Sequence, residues 1–217
     1  VPLDLVRPVM RGAAQWPLQP DPVELVARGA VTTTAESEHV PTLVTSAPLQ
    51  DLARLHVAAA SDLLPADQLG RPRIEGESSA EFLDLGAAPM ASALRDRLEL
   101  LVSVMTAGAA VPALVVAAVA HAEIVTTRPF VRGNGVVARA VERALVQATG
   151  LDPTGVVVTE AGHATQGGPA YLGALAAYGT GTPEGLGLWI GHCADAIVAS
   201  AAQGEQICDA VRAGRLT

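Results

Sequence analysis

The chain contains no lysine, a single asparagine and only six aromatic residues among 217. All 14 basic residues are arginine, set against 22 acidic ones, for a formal net charge of −8. That balance excludes a basic nucleic-acid footprint and a polybasic membrane surface. The missing lysine reflects a preference for GC-rich codons. The aromatics are Trp16, Phe82, Phe130, Tyr171, Tyr178 and Trp189. Half of the residues are nonetheless hydrophobic, so the core is built from Ala, Val and Leu, which suits close-packed helices better than a β-sandwich. A low charged fraction beside a high apolar one excludes a disordered chain.

Cysteine is almost absent too. Cys193 and Cys208 fall in one helical region, too far apart along a rigid helix to bridge. No C-x-x-C pair or Cys/His ligand spacing occurs, so no structural metal site is expected. Reduced thiols of this kind imply a cytoplasmic protein. Long apolar runs are also lacking. Met105 to Ala120 is broken by Thr106 and Pro112 and followed by His121 and Glu123. It is shorter than the roughly 20 residues of a membrane span and reads as a core helix. Val1 to Gln19 has no secretory signal pattern.

Five prolines among the first 22 residues predict an extended N-terminal arm over 1–21, followed by one domain over 22–217 with its core at 30–205. Pro22 to Ala30 makes a short helix, and Thr32 to Ser37 is a run prone to capping. Leu49 to Leu64 carries apolar residues at helical spacing. Between Gly70 and Leu85, turn residues separate two short runs, and Glu81, Leu83 and Leu85 alternate with Phe82 and Asp84; this predicts a β-hairpin. Helices follow at Ala87 to Met105, at Pro112 to about Thr126, from Val136 to Ala148 with Gly150 as its stop, at Pro169 to Tyr178 and at Pro183 to Gln203. No repeat of 20–50 residues appears. The fold class expected is all-α with one small hairpin.

The segment Arg128-Pro129-Phe130-Val131-Arg132-Gly133-Asn134-Gly135-Val136-Val137-Ala138-Arg139 carries the chemistry. A Gly-Asn-Gly turn running into a helix curls backbone N–H groups around an oxyanion, and the helix N-terminus adds partial positive charge. Arg139 is one helical turn past Gly135 and points back towards the same space. Arg132 lies just before the turn. The expectation is a phosphate or carboxylate nest formed by Arg128, Arg132, Gly133, Asn134, Gly135 and Arg139.

This segment resembles the signature of the Fic (Fido) family, H-P-F-x-[D/E]-G-N-G-R-x-x-R, at Pro129, Phe130, Gly133, Asn134, Gly135 and Arg139. Ala120-His121, Leu55-His56, Gly70-Arg71-Pro72-Arg73 and the Tyr171 and Pro183 helices resemble flanking parts of the family. The resemblance implies a Fic-like helical bundle with a β-hairpin flap. It also implies a site that transfers AMP from ATP to a protein hydroxyl, with the motif histidine as base and the acidic residue holding Mg²⁺. Here Arg128 replaces the histidine, and arginine stays protonated far above neutral pH. Arg132 replaces the carboxylate, and a cation repels Mg²⁺. Val136 replaces a phosphate-binding arginine. The expectation is therefore a degenerate, bacterial and regulatory domain that binds ATP, another nucleotide or a phosphate anion without Mg²⁺ and without AMP transfer. One alternative is a working transferase of a nucleotidyl or other phosphate-containing group with altered chemistry. Another is a non-enzymatic module that binds an acidic target or regulatory protein. No residue is assigned a catalytic role, although Arg128 stands at the base position.

Thr32-x-x-x-Glu36-Ser37 is similar to the family's inhibitory motif, whose glutamate pairs with the last motif arginine, here Arg139. Thr34-x-x-x-Glu38 fits the same spacing; Glu36 is preferred. His121 is expected to be a hydrogen-bonded structural histidine, and His163 to lie at the surface.

Overall fold

In the computed structural model the described residues are 3–38 and 43–215, and they form a helical bundle. The helices are α1 (Leu3–Met10), α2 (Pro22–Ser37), α3 (Leu43–Ser46), α4 (Pro48–Ala60), α5 (Leu94–Met105), α6 (Ala113–Thr127), α7 (Asn134–Ala148), α8 (Thr159–Gln166), α9 (Gly168–Gly179) and α10 (Pro183–Arg212). At the centre α6 packs on α7. Ten of the 15 α6 residues are buried, because its sequence is apolar on every face, as a core helix requires. Around this pair α2 and α4 pack against α7, α5 against α6, and α10 against α6, α8 and α9. The core is formed largely by Ala, Val and Leu, including Leu55, Ala117, Ala118, Val137, Val141 and Leu145. Helix α10 is long and apolar enough to cross a membrane by composition, yet it buries Trp189, Cys193 and Ala196 against the bundle. Cys193 and Cys208 are both free thiols.

Three expectations are corrected. The arm is not wholly extended: residues 3–10 form α1, in which Pro8 is accommodated near the C-terminus. Helix α2 runs on through the Thr32–Ser37 run. The hydroxyls of Thr32, Thr33 and Thr34 fold back onto carbonyls four residues earlier, so they support the helix instead of ending it. The hairpin does not form. Among the described residues there is no strand, and 70–86 is an irregular segment ending in a single 3₁₀ turn at Leu83–Leu85. Its polar groups are committed elsewhere. The Arg73 N–H donates to the Pro129 carbonyl at 2.7 Å and its guanidinium to the carbonyls of Arg128, Thr127 and Pro89. Phe82 stands at φ 53°, a left-handed conformation that no strand can continue through.

Candidate functional site

The Arg128–Gly135 loop joins the two central helices. Arg128 caps α6 with φ 46°, and Gly133 opens α7 with φ 86°. Asn134 fixes the loop between them. Its side-chain oxygen accepts from Phe130 N–H at 2.9 Å, and its amide Nδ2 donates to the Phe130 carbonyl at 2.9 Å. The Phe130 ring stacks on His56 at 3.9 Å. His56 Nδ1 accepts from Gly70 N–H, which leaves Nε2–H to donate to the Arg132 carbonyl at 3.1 Å. Burial pushes His56 down to about 4, so the imidazole supporting the loop is neutral at pH 7.

An oxyanion already lies in the nest, and it belongs to the chain. Gly133 N–H donates to Glu81 Oε1 at 2.9 Å. Asn134 N–H and Asn134 Nδ2 donate to Glu81 Oε2 at 2.9 and 2.6 Å. Three donors thus converge on one carboxylate at a helix N-terminus, as the local backbone and the dipole favour. Phe82 lies over Gly135 so closely that a Cβ there would meet its ring at 2.8 Å.

The arginines divide. Arg128 is 1% exposed, and its Nη1 donates to the carbonyls of Glu81, Phe82 and Gly86 at 3.0, 3.2 and 2.9 Å. It anchors the segment that carries the plugging carboxylate. Its burial lowers its pKa, with Arg73 adding to the effect. Arg132 is exposed beside the nest. Arg139 is half-buried beside Gly135, and its charge acts on the Tyr171 hydroxyl.

Glu36 does not reach Arg139. It pairs with Arg54 on α4 at 2.5 Å, whereas the α2 residues flanking Arg139 are Ala30, Thr33 and Thr34, around a cavity of about 340 Å³. Adjacent helical positions diverge by about 100°, so Ser37, on the Thr33 face, meets α7 instead and accepts from Arg143. Glu38 is exposed. Neither glutamate holds the inhibitory position assigned to it.

The second polar centre lies deeper. His121 Nδ1 and His163 Nε2 approach Glu142 Oε2 at 2.6 and 2.9 Å. Tyr171 bonds His121 Nε2, and His192 bonds His163 Nδ1. His121 is the structural histidine expected, and burial holds its pKa below the ordinary value. His163 is buried and helical, not superficial. Helix α8 is not among the helices expected from sequence, because glycine inside a helix runs against propensity. Gly162 instead lets α8 touch α10, since a Cβ would meet the Ala196 carbonyl at 1.9 Å.

Residues 46–146, which span the loop and the helices on both sides of it, match the Fic/DOC family. That segment is the part of the chain that is similar to a Fic domain. The chain's fold is similar to that of a Fic family protein from Desulfovibrio desulfuricans G20, with a TM-score of 0.70 at 20% identity over 94% of this chain and 60% of that one. It is also similar to Fic-1 from C. elegans. A glutamate-to-glycine variant gives a TM-score of 0.64 at 18% identity over 99% and 59% of the two chains. The unsubstituted form gives 0.61 at 16% identity over 95% and 59%. The chain therefore spans about 60% of the length of these structures. No protein of curated function matches it.

The Mg²⁺ of the family pattern does not fit this loop. Arg132 stands at the ligand position, and the carboxylate that is present, Glu81, has both oxygens taken by N–H donors.

Proposed function

We propose that this Fic domain receives an oxyanion, the phosphate of ATP or of another nucleotide, in its Gly133–Asn134 nest, without Mg²⁺ and without AMP transfer, and that its role is regulatory. The observation that carries this reading is the convergence of Gly133 N–H, Asn134 N–H and Asn134 Nδ2 on a single carboxylate: the loop is already shaped and charged to hold an oxyanion. Transfer lacks a base. The Arg128 guanidinium cannot accept a proton at pH 7, and both nitrogens of His121 are hydrogen-bonded in the core. Arg139, next to Gly135, supplies the cation that Mg²⁺ would otherwise provide. Because the present occupant is a carboxylate, the same observation favours a second reading, in which an acidic side chain of a partner peptide is the ligand.

Titration calorimetry with ATP, once with Mg²⁺ and once with EDTA, tests the first reading. Equal affinity in both is expected, with loss of affinity in Arg139→Ala. Binding that requires Mg²⁺ would overturn it. Binding of an acidic peptide with no binding of ATP would select the second reading.

A further inference from the structure

We infer that Glu81 is a displaceable resident ligand of the nest and that the segment from Ser79 to Gly86 is its gate. The inference rests on the proposed anion-binding role and assigns its regulation. Both oxygens of Glu81 are used by the same three donors that a phosphate would need, so carboxylate and phosphate exclude one another. Phe82 covers the first turn of α7 at Gly135 and moves with Glu81.

The segment, not the nest, is the part that gives way. The nest is fixed from behind by the paired Asn134–Phe130 hydrogen bonds and by His56 on the Arg132 carbonyl. The segment has no regular ladder of its own. Three of its carbonyls share one guanidinium nitrogen, Arg128 Nη1, which has only two hydrogens to give. Arg128 Nε, fully buried, has no acceptor, so the closed arrangement leaves one strong donor unsatisfied. Phe82 is held in a left-handed conformation, which stores strain that opening releases. Leu83, Asp84 and Gly86 are exposed. Gly76 at φ 85° and Gly86 at φ 81° bracket the segment with the backbone freedom that a hinge uses.

A ligand competing with a tethered occupant sees its affinity reduced by the fraction of time the site is free. Inorganic phosphate, and ATP in EDTA, should therefore bind Glu81→Ala at least about tenfold more tightly than wild type, with Glu81→Asp between them. Equal affinity in wild type and Glu81→Ala would overturn the gate and leave the anion-binding reading standing. Absence of phosphate and ATP binding in all three would overturn that reading and the gate with it. Amide exchange on the wild-type protein gives a second readout that needs no variant. Saturating phosphate should protect Gly133 and Asn134 while increasing exchange across residues 81–86. Protection of both would overturn the gate, because it would mean that the anion binds with the segment closed.

Discussion

Two polar centres lie along helix α7, and they are built in opposite ways. The nest at its N-terminus consists of backbone N–H groups, one amide and a carboxylate borrowed from an irregular segment. The cluster in its middle consists of side chains from α6, α7, α8, α9 and α10, with Glu142 at 0% exposure. In the first, one partner is free to leave while the rest stays in place. In the second, every partner is rooted in a packed helix, so no single group leaves without disturbing the core. The nest is suited to exchange ligands, and the cluster to hold helices in register.

The largest expected effect lies in the cluster. Glu142→Leu removes the shared acceptor of two buried imidazoles and should cost about 3–5 kcal/mol, read as a fall in thermal midpoint. Loss of stability below about 1 kcal/mol would show that the cluster is not structural. Glu81→Ala removes a partly exposed acceptor and should cost far less, which is what separates an exchangeable carboxylate from a rooted one.

Acid provides the intermediate test. Burial depresses His56 to about 4 and lowers His121 and His192 as well. Between the ordinary histidine value of about 6.5 and pH 4 the unfolded chain binds protons that the native state refuses. Stability from these groups is therefore present above pH 6.5 and lost as pH falls, by up to about 3 kcal/mol for His56 alone. Asp51 opposes this. Burial raises it to about 7 with both oxygens unpartnered, so its contribution is lost as pH rises. Asp51→Asn should remove the opposing slope and leave denaturation melts that lose stability steadily from pH 6.5 to 4. A flat profile in that variant would show that the imidazoles are not held neutral.

The smallest effect concerns Glu36. Its partner is Arg54 in a half-exposed pair, so Glu36→Gly should leave anion affinity unchanged by calorimetry. A rise of tenfold would restore Glu36 as the inhibitory group.

These contrasts explain what the sequence could reveal. The loop was legible because Pro129, Phe130, Gly133, Asn134 and Gly135 each meet a backbone demand at a fixed spacing, and local demands are written in local sequence. The core helices were legible from periodicity for the same reason. The occupant of the nest was not, because Glu81 lies 52 residues before Gly133 and alternation around it mimicked a strand. Only a carboxylate in the predicted flap hinted at it. The histidine cluster was hidden because His121, Glu142, His163 and His192 come from four helices and meet through packing alone. Glu36 was misassigned because a spacing motif ignores helix phase, which turned its side chain towards Arg54.

Arg128 makes the loop resistant to substitution. Placing a histidine at that position would strip three carbonyls of their donor and leave a left-handed backbone to be held by a shorter ring. Placing an acid at position 132 would set a second negative charge beside the one that Gly133 and Asn134 already hold. Either substitution weakens the loop as it stands. The arginine that ends α6 in a left-handed turn is thus also the latch of the segment over the nest.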